Sequence, residues 1–66
     1  MKVRVNGEFK EMDEGISVRG LLVALGIEPK GIAVDINREI VPKSRFEETL
    51  VRPDDVIEIV RMAGGG

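Results

Sequence analysis

Val56-Ile57-Glu58-Ile59-Val60-Arg61-Met62 runs without a break into Ala63-Gly64-Gly65-Gly66. The first seven residues alternate as a strand. Ile57 and Ile59 lie on one face; Val56, Val60 and Met62 lie on the other. A strand that is apolar on both faces is central in its sheet, or has one face covered by a partner. The four residues after it have almost no side chains. Glycine lacks Cβ and loses more conformational entropy on ordering than any other residue, so this tail is expected to be flexible. It is also the thinnest peptide a channel can admit. The group it would deliver is the carboxylate of Gly66, ionised at neutral pH because its reference pKa is roughly 3.5. One reading makes Gly66 a chemical handle for another enzyme. The plain alternative is terminal fraying or a cloning scar. The tail alone does not choose between them.

The rest of the chain narrows the choice. Its 66 residues are enough for one small domain. A domain of that size buries only about 60% of its unfolded surface. Cysteine, histidine, tryptophan and tyrosine are absent, which removes disulfides, thiolate nucleophiles and thiolate metal sites. Apolar residues make up 42% and charged residues 33%, a globular balance. A net charge of −2 offers no electrostatic footprint for nucleic acid. Met1-Lys2-Val3-Arg4 alternates and starts no apolar run, so neither a signal peptide nor a membrane span is expected, and the reading is cytoplasmic.

Upstream of the final strand, Met1, Val3 and Val5 alternate with Lys2 and Arg4 as a half-buried strand. Asn6-Gly7 signals a two-residue hairpin turn. The return strand covers Glu8 to Met12, with Phe9 expected inward. Ser17 is the cap of a helix whose Val18, Leu21, Leu22 and Leu25 form one stripe. Ile16 is placed to staple onto Leu21, and Gly26 is placed to end the helix in the left-handed conformation. Gly20 sits inside the helix, where it costs up to about 1 kcal/mol relative to alanine. It marks either close approach by a partner or simple tolerance. Ile32 to Ile36 forms a third strand. Asn37-Arg38 turns it into a fourth, Glu39-Ile40-Val41, which Pro42 keeps short and at an edge. Phe46 and Leu50 are expected on one helical turn beneath the sheet. Arg52-Pro53-Asp54-Asp55 is a polar turn.

This order makes an α+β fold of the β-grasp type: a mixed sheet of four to five strands packed on one helix. The last strand is expected parallel to the first, by the right-handed crossover rule. Residues 1–62 would form the domain and residues 63–66 a flexible tail. Predicted core residues are Val3, Val5, Leu21, Leu22, Leu25, Val34, Ile36, Ile57 and Ile59. Val60 and Met62, facing away from the helix, are the expected partner surface.

The residues offer little catalytic chemistry. Ser17 and Ser44 have no histidine to activate them. Glu47-Glu48 and Asp54-Asp55 lack the spacing of a calcium loop, so no metal site is expected. Lys30, Lys43, Arg45, Arg52 and Arg61 have no interleaved aromatics for stacking bases. No lysine or serine completes a phosphate loop at Gly64-Gly65-Gly66. The distinctive reactive group that remains is the terminal carboxylate.

In this order and over nearly the whole length, the sequence resembles the ThiS family of ubiquitin-like sulfur carriers in thiamine biosynthesis. The resemblance rests on the Val5-Asn6-Gly7 hairpin, the Ser17-Val18 to Leu22 helix start and Ala33-Val34-Asp35-Ile36-Asn37. It continues through Ile40-Val41-Pro42, the Phe46-to-Leu50 turn and Asp55-Val56-Ile57-Glu58-Ile59 before the glycines. Pro53-Asp54-Asp55 departs from the family's frequent Asp-Gly-Asp, which questions the turn geometry. Phe46 is smaller than the family's usual aromatic.

The resemblance implies a carrier, not an enzyme, with no cofactor of its own. A ThiF-type adenylating enzyme would use ATP and magnesium to adenylate Gly66, with Ala63, Gly64 and Gly65 threaded into it. Persulfide sulfur from a cysteine desulfurase or sulfurtransferase relay would displace AMP and leave a thiocarboxylate. Thiazole synthase would take up that sulfur. A MoaD-type carrier for molybdopterin synthesis, or for another sulfur pathway, would use the same tail. A β-grasp module that only binds would leave the glycines without a role.

Overall fold

The two hairpin turns of the chain are built alike. In the computed structural model, which describes residues 1–62, Asn6 and Gly7 take φ of 50° and 84°, and Asn37 and Arg38 take 52° and 71°. Positive φ at both central residues twists a two-residue turn in the same sense as its flanking strands. The first turn joins β1 (Lys2–Val5) to β2 (Glu8–Glu11), and the second joins β3 (Ile32–Ile36) to β4 (Glu39–Val41). Between the hairpins lies α1 (Val18–Ala24), and after a short 3-10 turn at Lys43–Arg45 comes β5 (Val56–Arg61).

The strands form one five-stranded sheet in the order β2-β1-β5-β3-β4. The last strand is therefore central. It runs parallel to β1 and antiparallel to β3. Strand β4 has three residues and stands at an edge, as Pro42 requires.

The helix forms where its local signals lie. Ser17 Oγ accepts from the Gly20 N–H at 3.0 Å. At the other end, Gly26 takes φ of 71°, its N–H donates to Val23, and the Ile27 N–H donates to Leu22 at 2.8 Å. Those two bonds close a Schellman motif and satisfy carbonyls the helix leaves open. Val18, Leu21 and Leu22 are fully buried, while Leu25 is half-buried against the same cluster. The core adds Val3, Val5, Ile32, Val34, Phe46, Val51 and Ile57, with Ile36 and Ile59 packed at its margin.

Two expectations are corrected. Phe9 is not inward. Pairing of Val5 with Glu8 across the turn puts Phe9 opposite Arg4, on the outer face of the sheet. It is 64% exposed and lies under Lys2 and Arg4, whose charged groups are 5.2 and 5.1 Å from the ring centre.

Leu50 is not under the sheet either. It is exposed, and Val51 fills the core in its place. Residues 49–51 run extended past the helix start, where Val18 N–H donates to Thr49 and Val51 N–H donates to Ile16. In an extended segment neighbours face opposite ways, so burial of Val51 turns Leu50 out.

Gly20 answers to an internal contact. A Cβ there would lie 2.9 Å from Cγ1 of Ile16 and 3.5 Å from Ser17 Oγ. The residue lets the chain's own Ile16 cross the first helical turn.

The turn before β5 forms without glycine. Asp54 adopts φ of 68°, and the Asp55 carboxylate accepts from the Arg52 N–H at 2.8 Å and from Asn37 Nδ2 at 3.1 Å. Aspartate is among the non-glycine residues that tolerate the left-handed region best.

Candidate functional site

Strand β5 carries the chain toward residue 62, and both asparagines of the protein brace it. On one side, Asn6 Oδ1 accepts from the Ile59 N–H at 2.8 Å and its Nδ2 donates to the Ile59 carbonyl at 3.2 Å. Paired main-chain partners between β1 and β5 are Arg4 with Val56 and Val5 with Ile57. The Asn6 amide thus extends the ladder by one step after β1 turns away. On the other side, Asn37 Oδ1 accepts from the Val56 N–H at 3.0 Å, and the Asn37 N–H donates to the Val56 carbonyl at 2.7 Å. Strand β3 then pairs with β5 as far as Ile32 and Arg61, and the Met62 N–H donates to the Gly31 carbonyl at 2.9 Å. The chain is held by hydrogen bonds up to Met62.

The two sides of β5 differ in burial. Ile57 is fully buried and Ile59 half-buried beneath the helix. Val56, Val60 and Met62 face out and are 42%, 55% and 53% exposed. Across the sheet, Val60 pairs with Ala33, and Ile40 of the edge strand is 77% exposed beside Asp35. Val60 and Met62 therefore stand in the open, as expected, and Ile40, given no role by the sequence analysis, is exposed on the edge strand two strands away. Its alternation with Glu39 and Val41 on a strand ended by Pro42 was the available signal. Ala63, Gly64, Gly65 and Gly66 lie outside the described residues.

Several of the other chemical candidates have structural work. Ser17 is the helix cap. Asp55 holds the turn before β5, and Arg45 pairs with Glu48 at 3.3 Å. Among the described residues, no group of three acidic, histidine or cysteine side chains is arranged to hold a metal ion. Among them, too, no helix is long and apolar enough to cross a membrane.

A hairpin, a helix across the sheet, a second hairpin and a central last strand parallel to the first define a ubiquitin-like β-grasp domain. In it, the strand before the glycines is fixed and its outer face is left open. The chain belongs to the ThiS family, whose model matches residues 3–66. It is 40% identical over 65 residues to the sulfur carrier protein ThiS of Bacillus subtilis, covering 97% of this chain and 98% of that one. A crystal structure of the thiamine biosynthesis protein ThiS from Geobacter metallireducens superposes with a TM-score of 0.86 at 32% identity, over the whole of both chains. A thiazole synthase of Paramagnetospirillum magneticum is 41% identical over 66 residues. There the chain spans all of its own length but about a fifth, 20%, of the relative.

Proposed function

We propose that this chain is a sulfur carrier of thiamine biosynthesis, whose Gly66 carboxylate is adenylated and then converted to a thiocarboxylate that supplies the sulfur of the thiazole ring. The observation that carries the reading is the end-to-end match to the Bacillus subtilis carrier, with the family match running through Gly66. The role needs no catalytic group in the chain itself. A carboxylate is a poor acyl donor until its oxygen becomes a good leaving group. A ThiF-type adenylating enzyme, with ATP and magnesium, would make it one. The outer sulfur of a persulfide from a cysteine desulfurase or sulfurtransferase relay would then displace AMP to give an acyl disulfide, and a second thiol would reduce its S–S bond to release the thiocarboxylate. The carrier contributes position: a strand held by hydrogen bonds to Met62, followed by residues slim enough to enter a channel.

Thiazole synthase is the proposed acceptor. Support comes from thiazole synthases that are 41% and 36% identical to this chain over all its 66 residues. That likeness favours the thiazole pathway over a MoaD-type role. The exposed Val60 and Met62 are the proposed docking surface for the adenylating enzyme, because an apolar face beside the reacting end is what a partner would cover.

The test is incubation with a ThiF-type enzyme, ATP, magnesium, a persulfide donor and a thiol reductant, read by intact mass. The expected product has one oxygen of the terminal carboxylate replaced by sulfur. A variant with one residue added after Gly66 should yield none, since its carboxylate sits one residue too far along. Equal yield from that variant, with the extra residue still attached, would overturn the reading.

A further inference from the structure

The outer face of the sheet holds two carboxylates at opposed positions. Asp35 of β3 is directly across from Glu58 of β5. Like charges placed so destabilise a sheet. Neither carboxylate forms an ion pair among the described residues. Asp35 is half-buried, and its Oδ1 exposes less than 1 Å² yet has no hydrogen-bond partner among them. That oxygen is left without a donor in the fold, and a partner would reach the carboxylate through its other oxygen, which is not buried in this way. Toward Met62 the surroundings are apolar. Ile40 is beside Asp35 on β4, the Ala33–Val60 pair is the next outward pair along the same strands, and Met62 follows. Among the described residues, the helix cap at Ser17 and the turn at Asn6-Gly7 follow their local rules. A sheet position that breaks one without internal compensation is where function is to be sought.

We propose that the Asp35–Glu58 pair receives one cationic side chain of the docking partner, an arginine or lysine set in an otherwise apolar surface. The inference rests on the carrier reading and specifies the chemistry of its docking face. Charge complementarity selects the occupant. Two adjacent carboxylates match a planar guanidinium, and covering the apolar rim removes water and strengthens the pairing. A second copy of this chain is a poor match. The cations on the same face, Lys2 and Arg4, already lie over Phe9 at 5.2 and 5.1 Å.

The experiment uses the full chain with its adenylating enzyme and compares wild type, Glu58→Gln and Asp35→Asn/Glu58→Gln. Glu58 is exposed, so its single variant keeps the test valid if the double variant folds poorly. Affinity is measured by titration at about 0.05 M and about 0.5 M salt, a range over which screening lengths shrink severalfold. Melting temperature is measured alongside. The expected result is opposite signs: Glu58→Gln melts at or above the wild-type temperature, yet binds about tenfold more weakly at low salt, with the gap narrowing at high salt. A merely structural role would move both downward. Affinity within about twofold of wild type, or a lower melting temperature, overturns the proposal. So does wild-type self-association that Glu58→Gln abolishes. Thiocarboxylate formation by the wild type in the same samples separates the two readings. A wild type that is never activated defeats the carrier role. A wild type that is activated while Glu58→Gln binds equally well defeats this inference alone.

Discussion

Strand β5 offers two faces of nearly the same composition and opposite fate. Ile57 is fully buried under the helix, whereas Val56 and Val60, one residue before it and three after, are 42% and 55% exposed. Aliphatic side chains on one strand thus serve stability on one side and remain available on the other. The inner face sits in a cluster with Leu21, Leu22 and Val34. The outer face is divided by chemistry: Phe9 with Lys2 and Arg4 on the β1–β2 side, the Asp35–Glu58 pair at mid-sheet, and Val60, Ile40 and Met62 beyond it. Apolarity by itself does not say which face is core. The helix decides that by covering one of them.

The largest test of this contrast is truncation on the two sides of the sheet. Ile57→Ala or Leu22→Ala should cost about 2–5 kcal/mol, as core truncations do. Val60→Ala should stay within about 0.5 kcal/mol, as surface changes do. Urea midpoints of the three variants measure the difference, and equal midpoints would erase the distinction between the faces. Next in size is the brace along β5. Asn6→Ala removes both bonds to Ile59 and a residue suited to φ of 50°. A loss of about 1–3 kcal/mol is expected at roughly 0.5–1.5 kcal/mol per hydrogen bond. Asn6→Asp keeps the acceptor and should lose less.

A smaller effect tests the helix side. Gly20→Ala would ordinarily stabilise a helix by up to about 1 kcal/mol. The contact with Ile16 Cγ1 at 2.9 Å should reverse the sign, to a net loss of about 1 kcal/mol from overpacking. Ile16→Ala/Gly20→Ala should then recover part of the propensity gain, read as a double-mutant cycle in thermal denaturation. The smallest change in stability belongs to Val60→Asp, within about 0.5 kcal/mol. Its association with the adenylating enzyme should nevertheless weaken clearly in a titration. A fold intact and binding unaltered would remove Val60 from the docking surface.

Much of the candidate site could be read ahead of the structure. Val60 and Met62 stand exposed because period-2 alternation puts them opposite Ile57 and Ile59, and that alternation is visible in the residues. The outward turn of Phe9 was not visible. Its strand holds one large apolar residue, and one alone cannot reveal a period. Pairing with Arg4 sets its direction. Asn6 and Asn37 read as turn formers and are so, but their side chains also brace β5, across 53 residues for Asn6 and 19 for Asn37. Nothing within either turn encodes that second task.

What the sequence by itself determined is what short-range chemistry governs. Asparagine and glycine set positive φ at the first turn, Ser17 and Gly26 bound the helix, a four-residue stripe orients it, and Pro42 shortens the fourth strand. Each depends on contacts within a few residues, so each is legible in place. Only the tertiary structure decided the rest: Val51 over Leu50 in the core, and the meeting of Asp35 with Glu58. These depend on the register between segments far apart in the chain. A shift of one residue in that register exchanges the two faces of a strand, and no local pattern records it.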